Sequence, residues 1–285
     1  MSPLVVIVGE TASGKSALAL ELAERFNGEI VCADSRTIYR GMDIGTAKPT
    51  PEERARVPHH ILDVANPDES FNAAQFKRLA LGAIDDVTAR GKLPIMVGGT
   101  GLYIDSVLYD YEFRVPADPL ERARLEGMSV EALQAEIRAK NFSMPENSQN
   151  KRHLTRLLEA NGATDSKHPL RENSLILGTQ IERAALKGRV VKRVQTMVHE
   201  GLEAEVHTLV TKYGWEAPAM NGIGYREWRD YFSGVQNIEL VATQIEKNTL
   251  ALAKRQRTWF RRNRRVQWLN DRSTAVEIIT TFLNK

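Results

Sequence analysis

The stretch Gly9-Glu10-Thr11-Ala12-Ser13-Gly14-Lys15-Ser16 fits the phosphate-loop pattern G-x-x-x-x-G-K-[ST], and it constrains the fold more than any other part of the chain. Ahead of it Leu4-Val5-Val6-Ile7-Val8 reads as a buried strand, and residues 16–26 after it read as an amphipathic helix. This is the order of strand, loop and helix that the pattern requires. The glycines let successive N–H groups turn into one anion-sized hollow at the positive end of the helix. Lys15 adds a full charge, and Ser16 adds a hydroxyl able to hold Mg²⁺. A di- or triphosphate is expected here, bound by residues Gly9 to Ser16. The pattern leaves open whether that phosphate is transferred, hydrolysed or simply leaves.

Strand and helix go on alternating. Residues 29–33 read as a second strand ending at Asp34-Ser35, followed by a polar segment at 36–49. A short strand is expected at 59–63. A helix is expected from Asn72, with Gln75 completing a capping box, to Gly91, and a buried strand at 94–97 runs into Gly98-Gly99-Thr100-Gly101. Short connections between alternating elements predict an α/β fold, a doubly wound parallel sheet. From 113 to 162 the pattern changes to helical stretches at 119–125, 130–140 and 151–159, with no strand candidate. The chain therefore reads as a phosphate-loop core, 1–112 and 163–285, interrupted by an all-helical insert at 113–162. Further on, the sheet resumes at 174–178, one long helix is expected over 183–213, and Gly222-Ile223-Gly224-Tyr225-Arg226 turns into another helix. A helix at 238–263, a last strand at 266–269 and a closing helix at 274–283 complete the pattern.

The 285 residues are enough for a full core with an appendage. Apolar runs such as 93–99 are far too short to span a membrane, and Met1-Ser2-Pro3 leads straight into a strand, so a cytoplasmic protein without membrane contact is expected. The single cysteine, Cys32, excludes a disulfide framework and reads as a buried structural thiol. Net charge is only +3, but residues 250–265 contain no acid, and their cations interleave with Trp259 and Phe260. That pattern suits a polyanion backbone. The histidines show no metal-site spacing.

Phosphate-loop hydrolases need an acid at the end of a neighbouring apolar strand, and the strand at 94–97 ends in glycines and Thr100 instead. This counts against an ordinary ATPase. Asp34 is the nearest strand-end carboxylate, in reach of a role as metal ligand, general base or turn cap. Thr100 suits either a substrate hydrogen bond or a simple turn.

Taken together, the phosphate loop, Asp34-Ser35, Tyr39-Arg40-Gly41-Met42-Asp43-Ile44-Gly45-Thr46-Ala47-Lys48-Pro49, Val97-Gly98-Gly99-Thr100-Gly101-Leu102-Tyr103, Gly222-Ile223-Gly224-Tyr225-Arg226 and Lys254-Arg255-Gln256-Arg257-Thr258-Trp259 resemble the tRNA dimethylallyltransferase family, in the right order over nearly the whole chain. Glu10 stands where that family usually has proline, and the insert is shorter than in its typical bacterial members. The resemblance implies transfer of a dimethylallyl group from its diphosphate to N6 of adenosine 37, 3′ of the anticodon, with Mg²⁺.

The chemistry agrees. Breaking an allylic C–O bond builds negative charge on the departing diphosphate, which loop amides, Lys15, Mg²⁺ near Ser16 and, by the resemblance, Arg226 would stabilise. The adenine amine must lose a proton, a task that falls to Asp34 with Thr100 orienting the amine. A target base has to leave its stack, most cheaply in a single-stranded loop. Contacts to the anticodon stem-loop are expected from Arg122, Arg152, His153, Leu154, Thr155 and Arg156 of the insert. The flipped base is expected along Asp34, Ser35, Arg36, Thr37, Thr100, Gly222, Ile223, Gly224 and Tyr225. The protein is expected to act as a monomer. The competing readings are an adenylate isopentenyltransferase acting on a free nucleotide, a small-molecule kinase, and a non-catalytic RNA-binding protein.

Overall fold

The computed structural model describes residues 2–113, 118–163 and 168–284. Part of the expected insert, residues 114–117, and Met1 lie outside these. The chain divides into two compact units, residues 1–108 with 170–285, and residues 109–169.

The first unit is built on an all-parallel sheet of strands β1 (Leu4–Gly9), β2 (Gly28–Cys32), β3 (His59–His60), β4 (Leu93–Gly98), β5 (Ser174–Thr179) and β6 (Gln267–Leu269) in the order β3-β2-β4-β1-β5-β6. Its α-helices, in chain order, are α1 (Lys15–Arg25), α2 (Pro51–Arg56), α3 (Ala73–Ala89) and α4 (Gly101–Leu108) before the insert. The insert carries α5 (Pro119–Gly127), α6 (Val130–Ala139) and α7 (Lys151–Glu159). After it come α8 (Arg183–His199), α9 (Leu202–Tyr213), α10 (Arg229–Phe232), α11 (Ile238–Arg261) and α12 (Thr274–Leu283).

Residues of β1 and β4 are buried throughout because both strands lie inside the sheet, covered on two faces, and the continuous apolar runs reflect that. Leu18, Ala19 and Leu22 of α1 and Ala275 and Ile279 of α12 pack on Val5, Ile7, Ile95 and Leu177. The α3 capping box forms as expected, with Asn72 accepting from Gln75 N and Gln75 returning to Asn72 N. β1 sits between β4 and β5, so the chain reverses direction across the sheet there. Ligands bind outside the carboxyl ends of strands at such a point.

Several expectations are corrected. The helix read over 183–213 is two, because Gly201 takes φ 99°, a left-handed turn that ends α8 and starts α9. The strand read at 59–63 keeps two residues, since Ile61 and Asp63 adopt positive φ. The helix read after Arg226 is a 3₁₀ turn followed by the four-residue α10. α2, opened by Thr50 as N-cap with Pro51 and Glu53, was readable as a capping box but lay beyond the polar segment.

In the second unit, α5, α6 and α7 enclose their own small core of Leu125, Leu133, Ile137, Leu154 and Leu158.

Candidate active site

The phosphate loop joins β1 to α1, and Gly14 begins the helix with φ 90°. That left-handed φ is strained for any residue with a Cβ, and Arg272 Nη2, 1.7 Å from where one would stand, would also have to move aside. The first N–H groups of α1 have no intrahelical acceptor and face the hollow with the positive end of the helix dipole. Cations crowd around it. Arg272 Nη2 donates to Ser13 O at 3.2 Å, Arg189 Nη1 to Ala12 O at 3.3 Å, and Arg193 Nη1 to Thr11 Oγ1 at 3.2 Å. Lys15 Nζ donates to Glu10 O at 3.3 Å. Burial lowers the Lys15 pKa to about 8; the charge of Asp34 pulls it back up and that of Arg193 pushes it further down. Burial also lowers the Arg193 pKa, and Asp34 opposes this. The loop is thus a strongly cationic cradle that favours an anionic occupant.

Not every loop residue offers itself to a ligand. The Glu10 carboxylate, expected in the cradle, is 3 % exposed and turns to Arg257. Thr11 N–H is taken by Gln256 Oε1 at 2.8 Å, and Ser13 Oγ pairs with Thr179 Oγ1 at 2.7 Å. Each is drawn off by a partner from α11 or β5, Gln256 and Thr179 buried and Arg257 half-buried.

Asp34 lies two residues past β2, and Thr100 two residues past β4, the neighbouring strand. Asp34 Oδ1 accepts from Arg36 N at 2.8 Å, and Thr100 Oγ1 accepts from Ser35 N at 3.0 Å, so the two side chains belong to one interlocked pair of strand ends. Asp34 is close enough to Lys15 and Arg193 to act on the charge of both. Tyr103 is buried within reach of the Asp34 charge, with the buried Tyr39 near it, and burial raises both phenol pKa values, so they stay protonated. Tyr103 also stacks on Phe76 at 4.3 Å. Cys32 is buried, its thiol pushed up to about 12, chiefly by burial. Thr37 is buried too, and its hydroxyl has no hydrogen-bond partner.

The acid-free end of α11 divides into two roles. Gln256 lies so close to the glycine turn that a Cβ on Gly99 would be 2.2 Å from its Nε2, while Trp259 Nε1 donates to Asp105 Oδ2 at 3.0 Å and its ring lies against Gly101. Lys254, Arg255, Arg261, Arg262, Arg264 and Arg265 are exposed. Only this second set is free to meet a polyanion.

Other expected site residues are placed elsewhere. Tyr225 is fully buried against Gly45, its hydroxyl donating to Glu205 Oε1 at 2.7 Å, so it supports the 43–45 turn and does not line a path. Glu205 also accepts from Asp43, Ile44 and Gly45 N–H at 2.8–3.1 Å. Gly222 and Gly224 are buried, and Gly224 N donates to Glu227 Oε2; Ile223 is half-buried. Arg226 donates to Glu227 Oε1 at 3.1 Å and lines a cavity of about 300 Å³ with Trp215, Met220 and Asn248, none of them in the phosphate loop. Arg36 Nη1 reaches Ala219 O at 3.4 Å. In the insert, Arg152, His153 and Arg156 are exposed on α7. Leu154 belongs to that unit's core, and Thr155, the next residue of α7, is buried as well. Arg122 is tied to Glu159 at 2.8 Å.

Arg189, Arg193 and Arg272 had no part in the sequence reading of the site, and Arg257 entered it only within the cationic run at 250–265. Arg189 and Arg193 lie one turn apart, beside the buried stripe Leu186, Val190 and Val194, and that spacing was the available signal. Ser16 is exposed on the first turn of α1. Among the described residues no cluster of three or more His, Cys, Asp or Glu is placed to hold a metal. The Ser16 hydroxyl at the start of α1 is the kind of single protein ligand that a Mg²⁺ held mainly through substrate phosphates would use.

A phosphate loop at the switch point of a parallel sheet, with a carboxylate at the next strand end but one, defines a phosphate-loop protein of the doubly wound α/β class. Residues 37–263 match the family described as IPP transferase. The chain is 45 % identical to the tRNA dimethylallyltransferase of Roseiflexus sp. (strain RS-1), over 92 % of this chain and 91 % of the relative. It is 40 % identical to that of Anoxybacillus flavithermus (strain DSM 21510 / WK1), over 94 % and 90 %. The crystal structure of the full-length tRNA isopentenylpyrophosphate transferase from Bacillus halodurans superposes with a TM-score of 0.76 at 36 % identity, covering 100 % of this chain and 96 % of that one. A eukaryotic dimethylallyltransferase acting on tRNA superposes at 0.76 and 26 % identity, over 90 % and 70 %. The chain belongs to the IPP transferase family.

Proposed function

We propose that this enzyme transfers a dimethylallyl group from dimethylallyl diphosphate to N6 of adenosine 37 in tRNA, releasing diphosphate. The observation that carries the reading is the placement of Asp34 beside Lys15 and Arg193, with Thr100 on the adjoining strand end. The C1–O bond of the donor breaks with its electrons leaving on diphosphate, and the N6 lone pair forms the new C–N bond. The leaving charge would be met by Lys15, the first amides of α1 and the loop arginines, all preorganised before reaction. Asp34 would accept the N6 proton, and Thr100 would orient the amine. Bound through Ser16 and the diphosphate, Mg²⁺ would neutralise leaving-group charge.

Arg152, His153 and Arg156 would meet phosphates of the anticodon stem, and the exposed arginines after α11 offer a further polyanion contact. No helix among the described residues is long and apolar enough to cross a membrane, and a cytoplasmic monomer is the reading adopted.

The test is incubation with dimethylallyl diphosphate, Mg²⁺ and either unmodified tRNA or AMP, followed by nucleoside analysis. N6-(dimethylallyl)adenosine in tRNA is expected. Prenylated AMP alone selects an adenylate prenyltransferase, and ADP made from ATP with an acceptor selects a kinase.

A further inference from the structure

Consecutive residues of α11 hold consecutive residues of the phosphate loop. Gln256 accepts Thr11 N–H, and Arg257 grips Glu10 with Nε to Oε2 at 2.9 Å and Nη2 to Oε1 at 2.8 Å. The residues of the ion pair are 247 positions apart. Glu10 is 3 % exposed, and its main-chain carbonyl accepts from Ser13 N and Lys15 Nζ, so one residue ties the helix to the loop's own hydrogen bonds. A buried carboxylate inside a loop built to hold an anion is out of place unless its charge is matched. The bidentate Arg257 matches it in a planar, directional geometry.

We infer that Arg257 is a positioning residue for the diphosphate cradle. The Glu10–Arg257 pair, a buried carboxylate held by a half-buried guanidinium, fixes the loop at a position where a proline would fix it through its ring. Proline restricts the backbone covalently and leaves no charge behind. Glutamate leaves the backbone freer, and α11 supplies the missing restraint together with the neutralising charge. Gln256 works beside it, joining Thr11 to the Gly99 turn and so setting the spacing between the cradle and Thr100.

This inference rests on the reading that the loop holds a diphosphate. Its test is a cycle of Arg257→Met, Glu10→Pro and the double variant in the full chain, with Glu10→Gln/Arg257→Met as a neutral near-isosteric control. Folding is checked by thermal melts, and pyrophosphate binding in Mg²⁺ is measured by calorimetry. Arg257→Met should weaken pyrophosphate at least about tenfold and raise KM for dimethylallyl diphosphate in parallel, because it strands a buried charge beside the anion. Binding of tRNA should stay within about twofold. Restoring neutrality with Glu10→Pro in the Arg257→Met background should recover pyrophosphate affinity to within about threefold of the unmodified protein. A folded Arg257→Met protein with unchanged pyrophosphate affinity overturns the inference, and so does a double variant no better than Arg257→Met. Failure of the unmodified protein to bind pyrophosphate at all overturns the diphosphate reading itself.

Discussion

Replacing Asp34 by asparagine separates its two jobs. Oδ1 accepts from Arg36 N–H at 2.8 Å, and an amide oxygen in the same place keeps that bond and the turn it closes. What asparagine cannot do is take a proton from the adenine amine. A positioned general base contributes about 10²–10⁴ in rate, so the chemical step should slow by that factor, about 3–5 kcal/mol of barrier. A second consequence follows from the charge. Asp34 raises the Lys15 pKa against the lowering by burial, so its neutralisation should push that pKa below about 8 and move the upper pH limit of diphosphate binding down. Asp34→Ala should do all this and in addition free the Arg36 amide, at about 1 kcal/mol. Single-turnover prenylation with saturating donor reads the first effect, and fluorescence anisotropy should give tRNA affinity within about twofold for Asp34→Asn. If Asp34→Asn turns over within tenfold of the unmodified protein, Asp34 is not the base.

Burial holds the Lys15 pKa down to about 8 in the folded protein, below the 10.5 of an exposed lysine, so below pH 8 it is charged in both folded and unfolded chains and burial of that charge costs stability. The cost is relieved as pH rises from 8 to 10.5; Lys15→Met should therefore melt higher than the unmodified protein at pH 7, with the gap closing by pH 10. A bound diphosphate restores the charge, and calorimetry at pH 8–9 in buffers of different ionisation heat should show proton uptake that Lys15→Met lacks; equal uptake in both proteins refutes the assignment. Arg152→Gln with Arg156→Gln should flatten the slope of log K against log salt for tRNA by about 1.5, since each phosphate contact contributes roughly 0.7–0.9; an unchanged slope removes both from the interface. Leu154→Ala, at 0 % exposure in the core of the insert, should cost about 2–5 kcal/mol and abolish tRNA binding while pyrophosphate binding persists; loss of both would show that the units do not act separately.

Local rules carried the sequence reading a long way. A run of apolar residues, a glycine loop with Lys15 and Ser16, and the Asn72 capping box each depend on neighbours within a few positions, and each stands where it was read. The site was harder, because its charges meet across the chain: Arg193 reaches Thr11 over 182 residues and Arg257 reaches Glu10 over 247. A cation's type does not say whether it will meet a phosphate or a carboxylate, which is why the run at 250–265 looked uniform. Periodicity does separate it. Val241, Ile245, Ala253 and Phe260 form the inward stripe of α11, and Gln256 falls on the same stripe, three residues after Ala253 and four before Phe260. A buried amide has to find a hydrogen-bonding partner, so the sequence already commits Gln256, and its neighbour Arg257 at the edge of the stripe, to something inside the molecule. The identity of that partner required the fold, since only the sheet brings the end of β1 under the last turns of α11. By the same logic Lys254, Arg255, Arg261, Arg262, Arg264 and Arg265, off the stripe and exposed, are the part of the run that the proposed tRNA contact would draw on.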